Sequence, residues 1–485
     1  MVKAPKRIAC ALTVVSAAVF AGAATYHVDP VNGSSGGDGS AGRPWRSIQR
    51  VVEDESLRGG DVLLLHDGYH GELSVRSQSN REYITVRAAE GETPRLRRIT
   101  LSSVERWRFE GLSISPYFDD DFERGGMVYV RSGSREIVFE RCTLRTREDC
   151  SNWSASDWDR RSCDGFLLDG VGHVIRNNVV ENVNFGMSVS ADSCLVEHNY
   201  IDGFAGDGIR ALGDYCVYQY NIIKNSKDVN GNHDDGIQSY SIGRNGVGTS
   251  TVYGVVLRGN LIINYEDRNQ PHRGSMQGIG CFDGMFEDWL VEHNVLIVDT
   301  WHGITLRGAV NCTIRNNTVC APNRADVGPP WIKLQSHKNG TPATGCVVER
   351  NLVTKLVVSS DQARIRDNLI MRDPHDWVED FDSFNMRIRD DSEARGGASD
   401  GEDIGAYVFA GQQFAVSVIA PAERNVSSGV TNGRRAGLTR GDAAMFDLRG
   451  RWNEIATGRR RGATGIYVTR KPSNEGGAAV LKQQR

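Results

Sequence analysis

The sequence has few of the features that mark membrane, nucleic-acid-binding or zinc proteins. Beyond residue 23, no run approaches the roughly 20 apolar residues that cross a bilayer, so no stable membrane insertion is expected. The formal net charge of -4 gives no sign of a nucleic-acid partner. The absence of a Cys-x-x-Cys pair disfavours a zinc site, and we predict no metal site.

The sequence demands no cofactor, and Ca²⁺ is the one ion that it suggests. Asp119, Asp120 and Asp121 offer the hard oxygen ligands that suit Ca²⁺. A solvated acidic loop is the simpler explanation of these residues.

The N-terminus has the three parts of a secretory signal peptide. A basic segment with three cations precedes an apolar segment, residues 9–20, and a small-residue cleavage site, residues 21–23. We therefore predict that residues 1–23 are a signal peptide and that the protein is secreted or periplasmic. A single membrane anchor is the alternative, but the apolar run is short for a span.

Nine cysteines follow the predicted signal peptide. An exported chain can pair some of them, and an odd number leaves at least one free. Cys150 and Cys163 flank one loop and are the best candidates for a disulfide.

A short pattern recurs eight times along the chain. It consists of an aliphatic or aromatic residue, two variable positions, an asparagine, one variable position and an aliphatic residue. The asparagines are Asn178, Asn199, Asn221, Asn260, Asn294, Asn317, Asn351 and Asn368. Such a repeat indicates one structural unit stacked on itself. We expect these side chains to turn inward and to form a ladder of hydrogen bonds, with Cys142 in the asparagine position of an earlier repeat.

A second repeat runs beside the asparagines. It reads DGFLL, FGMSV, DGIRA, DGIQS, QGIGC, HGITL and PWIKL between residues 164 and 334. A basal coil of about 21–22 residues with occasional insertions is typical of a parallel β-helix, in which each coil adds three short strands. We predict an all-β solenoid of this kind over residues 24–410.

Two segments flank the coils. Residues 45–52 have the apolar spacing of an amphipathic helix, which we expect to cap the open N-terminal end of the solenoid. Residues 411–485 form a C-terminal tail rich in arginine and glycine, whose order the sequence does not fix. We expect the protein to be a monomer.

The segment YHVDPVNGSSGGDGSAGRPWRSIQ, followed by GDVLLLHDGYH, resembles the start of secreted proteins of the pectate-lyase-like superfamily. The coil repeats and DIGAY near residue 405 are similar too, so the resemblance covers residues 25–410. It implies a right-handed parallel β-helix that binds an acidic polysaccharide in a long shallow groove. The fold also hosts hydrolases, epimerases and tailspikes, so the resemblance alone does not choose the reaction.

Polar residues cluster on the second repeat and on the loops beside it. The catalytic candidates are His233, Asp234, Asp235, Arg210, Lys333 and His302. The substrate-binding candidates are Asp207, Gln238, Arg307, His272, Arg273 and Trp301. Because adjacent coils lie about 4.8 Å apart, side chains from distant parts of the sequence can meet in one groove.

These residues supply the parts that β-elimination at a uronic acid needs. The substrate carboxylate must be neutralised, a base must remove the C5 proton, and a donor must protonate the leaving oxygen. Arg210 and Arg307 are candidates for neutralisation, His233 or Lys333 for the base, and His302 for the donor. A C5-epimerase would use the same parts with the proton returned to the opposite face, so the sequence leaves both reactions open.

Two other functions remain open. An inverting glycoside hydrolase needs two carboxylates with room for a water molecule between them. Asp207, Asp234 and Asp235 precede a His-Gly and an Ile-Lys in an order similar to that of polygalacturonase-type hydrolases, although Trp301 and Trp331 replace residues expected there. The third possibility is a non-catalytic carbohydrate-binding surface protein, in which the Asp-Gly pairs only satisfy backbone amides at turns.

Overall fold

The computed structural model describes most of the predicted solenoid. The described residues are 22–54, 57–118, 124–322, 328–406, 466–469 and 480–483. Residues 1–21 of the predicted signal peptide, the acidic residues 119–121 and most of the predicted C-terminal tail lie outside them.

Three long sheets of short strands make up the solenoid. The first, of 13 strands, contains Thr25–Val28, Val62–Leu65, Ser79–Ala88, Glu105–Glu110, Val138–Glu140, Val174–Arg176, Leu195–Glu197, Val217–Gln219, Val256–Arg258, Leu290–Glu292, Thr313–Arg315, Cys346–Glu349 and Ala363–Arg366. The second, of 11 strands, contains Glu72–Arg76, Arg98–Ser102, Gly126–Val130, Asp164–Leu168, Met187–Val189, Ile209–Ala211, Asp235–Tyr240, Gln277–Asp283, His302–Arg307, Trp331–Gln335 and Lys355–Val357. The third, of 12 strands, contains Gly68–Tyr69, Pro94–Leu96, Ser113–Ile114, Thr143–Arg145, Val179–Val183, Tyr200–Phe204, Ile222–Ser226, Leu261–Ile263, Val295–Ile297, Thr318–Cys320, Leu352–Val353 and Leu369–Ile370.

The strand order within each of these sheets follows the chain. Neighbouring strands are parallel and belong to successive coils, as in the pairing of Ile175 with Val196 and of Val196 with Tyr218. A complete coil therefore contributes one strand to each of the three sheets, which is the arrangement of a parallel β-helix. The predicted fold class is confirmed.

Shorter elements decorate the coils. Three parallel strands, Thr251–Tyr253, Met285–Glu287 and Ala309–Val310, form a small sheet, and two antiparallel pairs join Ile242–Gly243 to Gly246–Val247 and Val378–Asp380 to Asn385–Ile388. In the described part of the chain the helices are Ile48–Asp54 and Ala155–Arg161, with 3-10 turns at Pro116–Phe118 and Pro374–Asp376. Neither helix is long enough to cross a membrane.

The predicted asparagine ladder is present. Asn199 Oδ1 accepts hydrogen bonds from the backbone N–H of Asn178 at 3.1 Å and from Asn178 Nδ2 at 2.9 Å. Asn178 Nδ2 also donates to the carbonyl of Phe139 in the preceding coil. The same bonds recur from coil to coil as far as Asn368. Cys142 begins the ladder, since its backbone N–H donates to Asn178 Oδ1 at 2.9 Å.

The N-terminal helix covers the edge of the second sheet, as predicted, but spans Ile48–Asp54 rather than 45–52. Its buried face carries Ile48, Val51 and Val52. Gln49 exchanges two hydrogen bonds with the backbone of Ser74 in the first strand of that sheet. The side chain thus satisfies edge groups that would otherwise be free to pair with another chain.

The predicted disulfide between Cys150 and Cys163 is wrong. Both residues carry free thiols, as do the other seven cysteines of the described residues. Cys150 packs with Trp153 and Trp158 in a small satellite cluster, whereas Cys163 belongs to the main core. The two thiols are therefore buried in different apolar surroundings.

The chain divides into two compact units, Met1–Pro421 and Ala422–Arg485. The first contains the solenoid. In the second, the described residues form an antiparallel pair, Ile466–Thr469 with Val480–Gln483.

Candidate active site

The outer face of the second sheet carries most of the predicted site residues. Strand pairing places Arg210 opposite Gln238, Gln238 opposite Gly280, Gly280 opposite Thr305, and Thr305 opposite Lys333. Since neighbouring strands lie about 4.8 Å apart, these positions form one row along the solenoid.

Three aspartates lie at the start of this row and form the carboxylate cluster, Asp207, Asp234 and Asp235. They are 1%, 5% and 0% exposed. Asp207 Oδ2 accepts a hydrogen bond from Arg210 Nε at 2.6 Å, and Asp207 Oδ1 accepts one from the Asp235 backbone at 3.2 Å. Asp235 Oδ2 accepts one from Gln238 Nε2 at 2.9 Å. The structure thus brings together five predicted residues from two adjacent coils, Asp207, Arg210, Asp234, Asp235 and Gln238.

Burial changes the protonation of this cluster. Burial, reinforced by the charges of Asp228 and Asp207, raises the pKa of Asp234 to about 8. Burial and the neighbouring Asp207 also raise the pKa of Asp235. Burial raises the pKa of Asp207, while Arg210 opposes the shift. Asp234 Oδ2 and Asp235 Oδ1 accept no hydrogen bond from the described residues. With its raised pKa, Asp234 is a buried acid that keeps its proton near neutral pH.

Gly280 provides the space that the Asp235 carboxylate occupies. A Cβ atom at Gly280 would lie 2.2 Å from Asp235 Oδ1 and 2.7 Å from the ring of Phe282. A larger residue at this position would have to displace a side chain that is already fully buried.

We predict that Gly280→Ala destabilises the protein by about 1–3 kcal/mol, the usual cost of overpacking a filled site. Equilibrium urea unfolding measures the effect. Gly231→Ala is the matched control, because a Cβ there meets no atom within 4 Å. Equal stability of the two variants would contradict the close packing around Asp235.

Three cations further along the same face form the cation cluster, Arg307, Lys333 and Lys355. Among the described residues, no carboxylate lies within ion-pair distance of any of them. Lys333 Nζ and Lys355 Nζ lie 4.4 and 5.5 Å from the Trp331 ring centroid. Arg307 and Lys333 line a depression of about 770 Å³. Partial burial, together with the charges of Arg307 and Lys355, lowers the pKa of Lys333.

His302 lies beside the cation cluster. Burial, together with the charges of Lys333, Arg307 and His233, lowers the pKa of His302 to about 4. The imidazole is therefore neutral at neutral pH. Its Nδ1 lies 3.0 Å from Thr305 Oγ1.

His233 and Trp301 lie at the surface near these groups. His233 is exposed, and its charge makes a small contribution that opposes the raised pKa of Asp207 and adds to the lowered pKa of His302, so the imidazole lies within electrostatic reach of both side chains. Trp301 is 47% exposed, and its ring centroid lies 5.4 Å from that of Trp331. An exposed indole of this kind offers a surface on which a sugar ring can stack.

The structure gives two predicted residues other contacts. His272 Nε2 lies 2.8 Å from the carbonyl oxygen of Trp153, and the Arg273 guanidinium lies 4.8 Å from the ring centroid of Tyr265. Both residues thus contact side chains or backbone of the inserted loops, and no hydrogen bond or ion pair joins them to either cluster among the described residues.

Sequence reasoning missed Thr305, Lys355, Phe282 and the contacts of Trp331. The repeat contained a signal for Thr305, which occupies the same register position as Lys333. Lys355 follows the last match of the second repeat and becomes visible only through its pairing with Trp331.

Within the described residues, no group of three or more His, Cys, Asp or Glu side chains is placed to hold a metal ion. The acidic residues suggested for Ca²⁺, 119–121, lie outside the described part of the chain.

The fold and this face define a parallel β-helix protein with buried carboxylates on one sheet and, on the same sheet, cations that have no carboxylate partner among the described residues. One similar solved structure is a rhamnogalacturonan lyase, with 13% identity and a TM-score of 0.40 over 76% of this chain and 95% of that chain. Another is pectate lyase Pel9A, with 14% identity and a TM-score of 0.39 over 80% of this chain and 96% of that chain. The native GH136 lacto-N-biosidase from Eubacterium ramulus is also similar, with 13% identity and a TM-score of 0.42 over 72% of this chain and 68% of that chain. No protein-family model and no curated protein matches the chain.

Proposed function

We propose that this protein is an exported enzyme that cleaves an acidic polysaccharide by β-elimination at a uronic acid. The observation that carries the proposal is the cation cluster, whose three charges have no carboxylate partner among the described residues. Unpaired cations beside an exposed tryptophan suit a sugar that bears a carboxylate. The carboxylates of the same face are buried, so they add little negative charge to the surface that a substrate would meet.

The cation cluster and the adjacent His302 supply a group for each step of the elimination. Arg307 neutralises the substrate carboxylate, which makes the C5 proton more acidic. Lys333, whose pKa is lowered, removes that proton as a neutral amine. The electron pair of the C–H bond forms a double bond between C4 and C5 as the C4–O bond breaks.

His302 acts on the leaving oxygen. A neutral imidazole donates a hydrogen bond through its N–H as negative charge builds on that oxygen, and water supplies the proton that the oxygen finally carries. His233 and the carboxylate cluster would hold a neighbouring sugar of the polymer, since Asp235 lies two coils from Arg307 and three coils from Lys333. C5 epimerisation would use the same base, with the proton returned from the other side of the ring.

A panel of uronate polymers and one neutral polysaccharide tests this function. Ultraviolet absorbance reports the unsaturated sugar that elimination creates, and a reducing-end assay counts the cleaved bonds. We expect both signals to rise together on a uronate polymer and neither to rise on the neutral control. Reducing ends without absorbance would overturn the elimination and favour hydrolysis.

A specific observation favours inverting hydrolysis as the second candidate. Asp234, with its pKa raised to about 8, is suited to protonate a leaving oxygen as a general acid. Asp207 lies on the adjacent coil and could activate a water molecule. In this alternative the reaction centres on the carboxylate cluster instead of the cation cluster.

The two candidates predict opposite pH dependences. If Lys333 is the base, kcat/KM rises with pH until the lysine has lost its proton, at a pKa below its usual value. If Asp234 is the acid, kcat/KM falls as pH rises through its pKa of about 8. We expect kcat/KM of the wild-type protein to rise between about pH 6 and about pH 10, and we expect Lys333→Met to show no such rise. A fall on the alkaline side that Asp234→Asn abolishes would assign the reaction to the carboxylate cluster.

A further inference from the structure

We infer that Thr305 and Trp331 are positioning residues that fix His302 in the tautomer with its proton on Nε2. The two residues form a chain of hydrogen bonds that ends on the Nδ1 atom of the imidazole. The tautomer itself follows from the contacts of these side chains. Its role, donation from Nε2 to a substrate oxygen, rests on the proposed function.

The direction of the hydrogen bonds starts from Trp331. An indole Nε1–H can only donate, and Trp331 Nε1 lies 3.0 Å from Thr305 Oγ1. Thr305 therefore accepts this bond. Its side chain is fully buried, so the hydroxyl proton needs an acceptor inside the protein.

His302 Nδ1 is that acceptor. It lies 3.0 Å from Thr305 Oγ1, and no other acceptor for the Thr305 hydroxyl is found among the described residues. A neutral imidazole has one protonated and one unprotonated nitrogen. Since Nδ1 accepts the threonine proton, Nε2 carries the proton of the ring.

The surroundings hold the ring neutral and in place. Burial and the charges of Lys333, Arg307 and His233 all oppose a second proton on His302. The ring packs edge-to-face against Phe282 at 4.9 Å and against Trp331 at 5.3 Å between centroids. Nε2 forms no hydrogen bond with the described residues and the His302 side chain is only partly buried, so Nε2 can donate to a ligand.

The register of the second sheet explains how three residues separated in sequence meet. His302 pairs with Trp331 across neighbouring strands. Thr305 lies three residues further along the same strand as His302 and pairs with Lys333. The hydroxyl that orients the imidazole and the proposed base therefore occupy paired positions on adjacent coils.

Histidine-selective ¹⁵N labelling and two-bond ¹H–¹⁵N correlation spectra test the tautomer directly, without any substrate. The His302 signals are identified by their loss in His302→Asn. We expect the pattern of an Nε2–H imidazole in the wild type and in Thr305→Ser, which keeps the hydroxyl. In Thr305→Val, which keeps the shape but loses the hydroxyl, we expect a mixture of the two tautomers.

Activity measurements link the tautomer to the proposed reaction. We expect Thr305→Val to lower kcat about tenfold with little change in KM, which corresponds to the loss of one hydrogen bond, and Thr305→Ser to restore it. Trp331→Phe, which keeps an aromatic ring but has no N–H, is expected to shift the tautomer population in the same direction as Thr305→Val. It also provides a second test if the valine variant fails to fold.

An Nδ1–H pattern in the wild type, or an unchanged Nε2–H pattern in folded Thr305→Val, would overturn the inference. Failure of the proposed function is distinguishable from this, because the spectra report the tautomer even if no uronate polymer is cleaved. A valine variant with mixed tautomers but full activity would contradict the role of the Nε2–H while confirming how it is held.

Discussion

Replacement of Lys333 by methionine is expected to lower kcat/KM on a uronate polymer by ~10²–10⁴-fold, the contribution that a general base typically makes. Methionine preserves most of the side-chain length but cannot accept the C5 proton. The loss should appear mainly in kcat, because Arg307 still binds the substrate carboxylate. Initial rates of ultraviolet absorbance over a range of polymer concentrations measure the effect.

Two further variants separate the base from the charge. Lys355→Met removes a cation from the same cluster without removing the proposed base, so at a pH where Lys333 is deprotonated we expect a higher KM and a nearly unchanged kcat. Lys333→Arg keeps the charge but cannot lose its proton at accessible pH, so it should be as inactive as the methionine variant. An active arginine variant would show that position 333 supplies only charge, and the base would have to be sought elsewhere.

Replacement of Asn260 by leucine is expected to destabilise the solenoid by ~3–5 kcal/mol, because each buried polar group left without a partner costs about 1–3 kcal/mol. Asn260 is fully buried in the middle of the ladder. Its Oδ1 accepts from the backbone and side chain of Asn221, and its Nδ2 donates to the Tyr218 carbonyl and to Asn294 Oδ1. Leucine is similar in size but leaves these groups unsatisfied.

Asn368→Leu is the matched control for the ladder. It removes equivalent bonds to Asn351 and Val348, but Asn368 is the last member and is partly exposed, so water can replace what is lost. We expect its cost, from urea unfolding, to be clearly smaller than that of Asn260→Leu. Equal costs would mean that the ladder contributes through packing and not through its buried hydrogen bonds.

The fold could be predicted because its determinants repeat. The backbone at the same bend of each coil needs a side chain to satisfy its hydrogen bonds, so one asparagine recurs in each coil of the repeat. Cys142 is the exception, and its backbone N–H still joins the ladder. The prediction of a disulfide between Cys150 and Cys163 was wrong because it did not depend on a repeated pattern. Proximity in sequence around a single loop says nothing about which cluster each thiol enters, and Cys150 and Cys163 enter different ones.

The candidate site could be predicted only in part. The Asp-Gly repeat placed Asp207 and Asp235 on adjacent coils, because residues at the same repeat position stack in register. The inserted loops have no such periodicity, and His272 is held by the carbonyl of Trp153, which lies far away in the sequence. The contact between Thr305 and Trp331 depends on the reach and orientation of two side chains, which a pattern of residue types does not encode.

The mass of the products from a defined uronate polymer tests the central claim most directly. Elimination leaves a new non-reducing end that is lighter by one water molecule than the end left by hydrolysis. We predict that the wild-type protein releases oligosaccharides with this lighter, unsaturated end and that Lys333→Met releases almost none. Products that have gained a full water molecule at each cleaved bond would contradict elimination and place the reaction on the aspartates.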